Sequence, residues 1–286
     1  MDFDFRSSIE DESVNDYQSN ILLLILGLAA LFVLPSIFLS VLIIIFSNID
    51  VELLSYFAYF LGYGSYIVLL FLIIKKDNIM KIIKGFNKNN FIVALIFAVI
   101  LYLSSTMVSY LVNLIFGSVD SNANQESLDQ GMLKYPIVVS LFSVIFAPIV
   151  EEFVFRFTIF KPIAKKNKIV AYIISVLSFA GIHFISSLSV LLTDMANPDL
   201  TKEIAMNNFF NDLKTLPIYI VAAFVLTLSY DMNKNIATNI LIHALYNLSQ
   251  VVLMLLLVNM MNGSNQDISS ISSLSQYFQN FILIFR

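Results

Sequence analysis

Apolar runs longer than a soluble core uses recur along this chain, and short polar links separate them. Ile21 to Phe46 is the first; as a helix it would reach roughly 39 Å, more than the ~30 Å thickness of a bilayer's hydrocarbon. Pro35 lies inside it, so a kink there is expected to absorb the excess. Val51 to Ile74, Phe91 to Gly117, Pro136 to Phe160, Ile169 to Thr193, Leu216 to Tyr230 and Ile236 to Met261 read as six further spans. The sixth is short and should borrow residues from its flanks. Asp231 to Asn235 is read as a tight turn, and Asp194 to Thr215 as a loop with room for a short surface helix. The pattern predicts an all-α, polytopic transmembrane helical bundle of about seven spans, within a range of six to eight.

Charge then orients the bundle. Lys75, Lys76, Lys81, Lys84 and Lys88 crowd the link after the second span, and Lys161, Lys165, Lys166 and Lys168 the link after the fourth. Both links belong on the cytoplasmic side. The polar segment Ser118 to Tyr135, with Asp120, Glu126 and Asp129 against Lys134, belongs outside. The N-terminus is therefore expected to be cytoplasmic and the C-terminus external. Residues 1–20 form an acidic, solvated tail unlike the basic start of a signal peptide, and 262–286 a polar tail whose last run, Phe278 to Phe285, is too short to cross.

The composition, 58% hydrophobic and 13% charged with a formal net charge of -4, carries no dense basic patch, which excludes a nucleic-acid partner. Membrane lipids are the expected partners of such a chain; the oligomeric state is left open. There is no cysteine, which removes disulfides and thiolate chemistry. No Gly-x-Ser-x-Gly and no His-Glu-x-x-His occurs, so the familiar serine-hydrolase and zincin signatures are missing.

Against that background three charges stand out. From Pro136 to Phe160 the only ionisable side chains are Glu151, Glu152 and Arg156. A charge near a bilayer centre costs about 2.5 to more than 10 kcal/mol. Glu152 and Arg156, four apart, share a helix face and can pair, whereas Glu151 points about 100° away. Pro148 lacks a backbone donor, so a carbonyl one turn earlier should be freed and the helix kinked. The two histidines of the chain, His183 and His243, fall roughly 21 Å and 10 Å from the cytoplasmic ends of their spans, with Glu151 at roughly 15 Å, so the buried ionisable groups can meet at one level. His243 and Asn247, four apart, face the same way. The bland alternatives are a structural ion pair for Glu152 with Arg156, interhelical hydrogen bonding for each histidine and Asn247, and simple packing for Phe179.

Glu151-Glu152-x-x-x-Arg156, Phe179-x-x-x-His183 and His243-x-x-x-Asn247, in that order on three hydrophobic helices, resemble the three motifs of the CPBP family. This is the CAAX protease and bacteriocin-processing, or Abi, family of intramembrane endopeptidases, which includes the Rce1-type prenyl-protein proteases. One departure is Phe157, where the family's pattern has a glycine after the arginine. The resemblance covers roughly 136–261, which it marks as a catalytic membrane core, with 21–135 as N-terminal transmembrane helices. It implies that Glu151 is the general base for the hydrolytic water and that His183 helps to position that water. It also implies that His243 and Asn247 stabilise the oxyanion, while Glu152, Arg156 and Phe179 support the site. The resemblance further implies a hydrophobic or membrane-anchored peptide as partner, in a bacterial plasma membrane, and no cofactor is expected. The alternatives are a zinc-dependent version with Glu151, His183 and His243 as ligands, a proton-coupled transporter, and a non-catalytic bacteriocin-immunity or peptide-binding protein.

Overall fold

A computed structural model describes residues 17–74, 82, 85–117, 119, 122–197 and 201–263. The acidic first sixteen residues, Lys75, Lys76, Lys81, Lys84 and the run Phe278 to Phe285 lie outside them. The described residues form eleven helices and no strand. These are α1 (Tyr17–Phe32), α2 (Leu34–Ile45), α3 (Val51–Ile73), α4 (Lys88–Phe116), α5 (Ala123–Lys134), α6 (Pro136–Ala164), α7 (Lys168–Ile182), α8 (Ile185–Ala196), α9 (Lys202–Leu213), α10 (Leu216–Asn233) and α11 (Ile236–Gly263). Five stretches are long and apolar enough to cross a membrane, or up to seven if each of two bent pairs is one span.

The first bent pair is α1 and α2, which turn by 44° just before Pro35, as the proline predicts. Pro35 stays buried, with its ring against Gly62 of α3. The second pair, α7 and α8, turns by 48° at His183 and Phe184, inside what reads from the sequence as one unbroken span. The polar segment before α6 is also more ordered than a loop. It holds α5, which Asn122 caps by accepting from the Gln125 backbone N–H at 2.9 Å. Lys134 at its end pairs with Asp50 and, at 3.0 Å, with Glu52. The Lys134 ammonium, the Glu52 backbone N–H and the Tyr135 hydroxyl hold the exposed Asp50 carboxyl down at about 2. Helices α9 and α10 qualify together as one span, Lys202–Asn233, so the short sixth span does borrow from its flank.

Helix α6 is central and packs against α1, α3, α7, α10 and α11. Its backbone widens twice into π turns, at Phe142–Phe146 and Phe153–Phe160. Each widening precedes a proline. The Ala147 N–H bonds Phe142 O, five residues back, and the Lys161 N–H bonds Arg156 O in the same way. The next carbonyls, Ser143 and Phe157, would then need the N–H of Pro148 and Pro162, which do not exist. Each proline thus frees one carbonyl beside the Ala147–Glu152 turn that carries the two glutamates.

Polar side chains fix the rotation of α11. Asn235 caps it by accepting from the Thr238 N–H at 3.1 Å, and Asn90 of α4 donates to both Asn233 and Thr238 at 3.1 Å. Asn239, His243 and Asn247 then lie on one face at intervals of four.

Close approach of α1 to α6 depends on Gly27, where a Cβ would run into Val154 and meet Tyr66 at 3.1 Å. Gly27→Leu is expected to destabilise the bundle by about 1–3 kcal/mol through overpacking, read as a lower unfolding temperature in detergent. Gly64→Ala, whose added carbon would meet nothing nearer than Phe146 at 3.8 Å, should leave that temperature unchanged or raised.

Candidate active site

Glu152 is the best-held side chain of the site. It is 0% exposed, and its carboxylate faces donors from two helices. Asn239 Nδ2 donates to Oε2 at 2.5 Å, while His243 Nδ1 donates to Oε1 at 2.9 Å. Arg156 Nη1 stands 3.2 Å from Oε1, an ion pair by distance without hydrogen-bond alignment. Arg156, also 0% exposed, donates from Nη2 to Ala223 O of α10 at 3.2 Å and lays its guanidinium 4.4 Å from the centre of the Phe179 ring. Carboxylate, cation and aromatic face therefore neutralise one another where water is scarce.

Glu151 is treated differently. As a whole residue it is 8% exposed, and it accepts no hydrogen bond from a described residue; His243 Nε2 lies 3.9 Å from its Oε2. The imidazole of His243 thus stands between the two glutamates. With Nδ1 directed at Glu152, the ring turns Nε2 toward Glu151.

His183 owes its place to the bend between α7 and α8. Its Nδ1 donates to Phe179 O at 2.9 Å, the carbonyl that its own backbone N–H would take in a continuing helix. That N–H turns instead to Ala180 O at 3.3 Å, and α7 ends. The ring then lies 5.0 Å from Phe179, which is itself 5.8 Å from His243. Tyr219 stacks on its other side at 4.5 Å.

Asn247, one turn beyond His243, donates from Nδ2 to Ser143 O at 2.7 Å. That is the carbonyl released by the π turn and Pro148. Phe157 is fully buried and stacks on Phe153 at 5.3 Å, so the residue that replaces the family's glycine is absorbed as packing.

Glu151, Glu152, Arg156, Phe179, His183 and His243 form one connected cluster, with Asn247 tied to the same helix α6 at Ser143, about two turns before Glu151. Asn239 and Tyr219 are members that motif reading missed. Asn239 was legible in principle, since it precedes His243 by four on the same face. Tyr219 had no local signal. Among the described residues no group of three or more His, Cys, Asp or Glu side chains could hold a metal ion, so Glu151, His183 and His243 do not fit together as a zinc ligand set.

Residues 133–249 match the family model for type II CAAX prenyl endopeptidase Rce1-like proteins. Over 153 residues the chain is 31% identical to the membrane-embedded CAAX protease MroQ of Staphylococcus aureus (strain USA300), covering 52% of this chain and 52% of that protein. The chain therefore spans about half the length of the curated relative it matches. No solved structure gives a significant match.

Arg156→Met strands the buried Glu152 carboxylate without its cation and is expected to cost about 3–5 kcal/mol. Asn239→Ala removes one donor and should cost about 1–3 kcal/mol. Thermal unfolding of the purified variants measures both, and the double variant should lose less than the sum because both act on one carboxylate.

Proposed function

We propose, from the match of residues 133–249 to the type II CAAX prenyl endopeptidase Rce1-like family model, that this chain is an intramembrane endopeptidase of the CPBP type whose water is activated by Glu151. The substrate we propose is a hydrophobic, prenylated or otherwise membrane-anchored peptide, cut in the bacterial plasma membrane.

The observation that carries the reading is the 3.9 Å gap between Glu151 Oε2 and His243 Nε2. It is too long for a direct hydrogen bond, yet one water fits about 2.8 Å from each atom. Such a water gives one hydrogen to Glu151, accepts from the Nε2–H of a His243 ring that carries both protons, and keeps a lone pair for a substrate carbonyl. Attack forms the bond from water oxygen to carbonyl carbon while Glu151 takes the proton. The same proton then passes to the leaving nitrogen as the C–N bond breaks. His183, whose Nδ1 is held by Phe179 O, presents Nε2 as the acceptor for the water's second hydrogen.

The oxyanion is assigned to His243 and Asn247. His243 donates there from the same Nε2–H that first held the water, and Glu152 at Nδ1 supplies the charge that stabilises the imidazolium. Asn247 has one N–H committed to Ser143 O and a second to offer.

Glu151→Gln keeps the shape of the side chain and removes the base. In the full chain reconstituted in nanodiscs, cleavage of a membrane-anchored reporter peptide should fall by roughly 10²–10⁴ in kcat, with the unfolding temperature unchanged. Undiminished cleavage by that variant would remove Glu151 from the mechanism.

A further inference from the structure

One hydrogen bond does not fix a ring. His183 sits at the 48° bend between α7 and α8 and is held at Nδ1 by Phe179 O at 2.9 Å. A carbonyl oxygen accepts over a broad range of directions, so that bond by itself is a pivot about which the half-buried imidazole is free to swing. Phe179 lies beside the ring at 5.0 Å, tilted by 45°. Tyr219 of α10 is closer, at 4.5 Å with 32° between the planes, a geometry nearer to stacking. Phe184, the other residue of the bend, meets the same tyrosine edge-on at 5.6 Å and 80°. Tyr219 therefore engages both residues of the break, and does so from a different helix.

The tyrosine is itself held at its far end. Its hydroxyl donates to Asn122 Oδ1 at 3.4 Å. That bond is long, but its acceptor is firmly placed: Asn122 is 1% exposed, donates from Nδ2 to Thr215 Oγ1 at 3.0 Å and caps α5. The Tyr219 ring thus reaches from the start of α5 to the bend, with the imidazole on its face. We propose that Tyr219 is a positioning residue: its ring, stacked on His183, stops the swing and keeps Nε2 aimed at the water beside Glu151. This rests on the water-orienting role given to His183 above, and Tyr219 acts only through that ring.

Two measurements on the purified full chain in nanodiscs test it. His183 and His243 are the two histidines of the chain, so ¹³C,¹⁵N-histidine labelling gives two sets of ring signals in magic-angle-spinning NMR, assigned with His183→Gln. Tyr219→Leu is expected to move the His183 ring signals and to increase the motion of that ring, while those of His243 stay in place. With the membrane-anchored reporter peptide, kcat should fall about three- to tenfold, the size of one aromatic pair, and KM should change by less than about twofold. Tyr219→Phe keeps the ring and should retain the parent's His183 signals and kcat. In the His183→Gln background Tyr219→Leu should cost nothing further, because a residue that acts through His183 has nothing left to act on. Equal unfolding temperatures check that the variants fold; Tyr219→Met, a second replacement without a ring, is judged in place of the leucine variant if that one unfolds early. Unmoved His183 signals, a Tyr219→Phe variant as impaired as Tyr219→Leu, or a cost that adds in full to that of His183→Gln overturns the positioning role. Undiminished kcat in His183→Gln, beside a His183 ring that still responds to Tyr219→Leu, removes instead the water-orienting role of His183 and upholds the stack that holds it.

Discussion

Everything at the centre of this bundle depends on how the Glu152 carboxylate is satisfied. A carboxylate with no exposed surface loses several kcal/mol of hydration, and only a near-complete set of donors can offset that. Glu152 obtains two from Asn239 and His243 on α11, and the Arg156 cation one turn along α6 adds its charge without an aligned hydrogen bond. Arg156 carries the constraint onward to Ala223 on α10 and to Phe179 on α7. One side chain therefore ties four helices together, and their relative rotation is fixed by charge as much as by apolar packing. In a bilayer this matters more than in water, because lipid tails compete with every apolar contact between helices.

The backbone of α6 supplies the second constraint. Two π turns, each placed before a proline, widen the helix on both sides of the Ala147–Glu152 turn. Widening frees carbonyls, and a free carbonyl in a membrane must find a donor. Asn247 fills that need at Ser143, which explains an amide four residues beyond His243 without any appeal to catalysis. The same bond brings the second N–H of the amide to the edge of the site, so the structural and the proposed catalytic uses of Asn247 are compatible.

Most of the span pattern was legible because a bilayer imposes length and polarity limits that show in one dimension. The kink near Pro35, the pairing of Glu152 with Arg156 and the carbonyl freed by Pro148 follow from local covalent chemistry. The break at His183 was not legible. No proline marks it, and its cause is a side chain taking over its own helix's hydrogen bond at Phe179 O. Helix α5 was hidden for the opposite reason: it is polar, so hydropathy reads it as a loop, and it is held by the Asn122 cap, by the Tyr56 hydroxyl donating to Ser127 O and by the contacts of Lys134 with Asp50 and Glu52. Tyr219 reaches His183 from another helix, a contact that spacing along the chain does not encode.

The two adjacent glutamates show how placement separates identical chemistry. A helix turns by about 100° per residue, so neighbours cannot share one set of donors. Glu152 faces α11 and Arg156 and is saturated; Glu151 faces away and keeps its lone pairs. His243 lies between them and joins the two environments, with Nδ1 bound to the saturated carboxylate and Nε2 turned to the other. A protein that needed only an ion pair to hold its helices would gain nothing from Glu151, since burying a second carboxylate adds cost and no new tie. The unsatisfied acceptor beside an oriented imidazole is therefore the feature that packing does not account for, and it is where chemistry has to be sought.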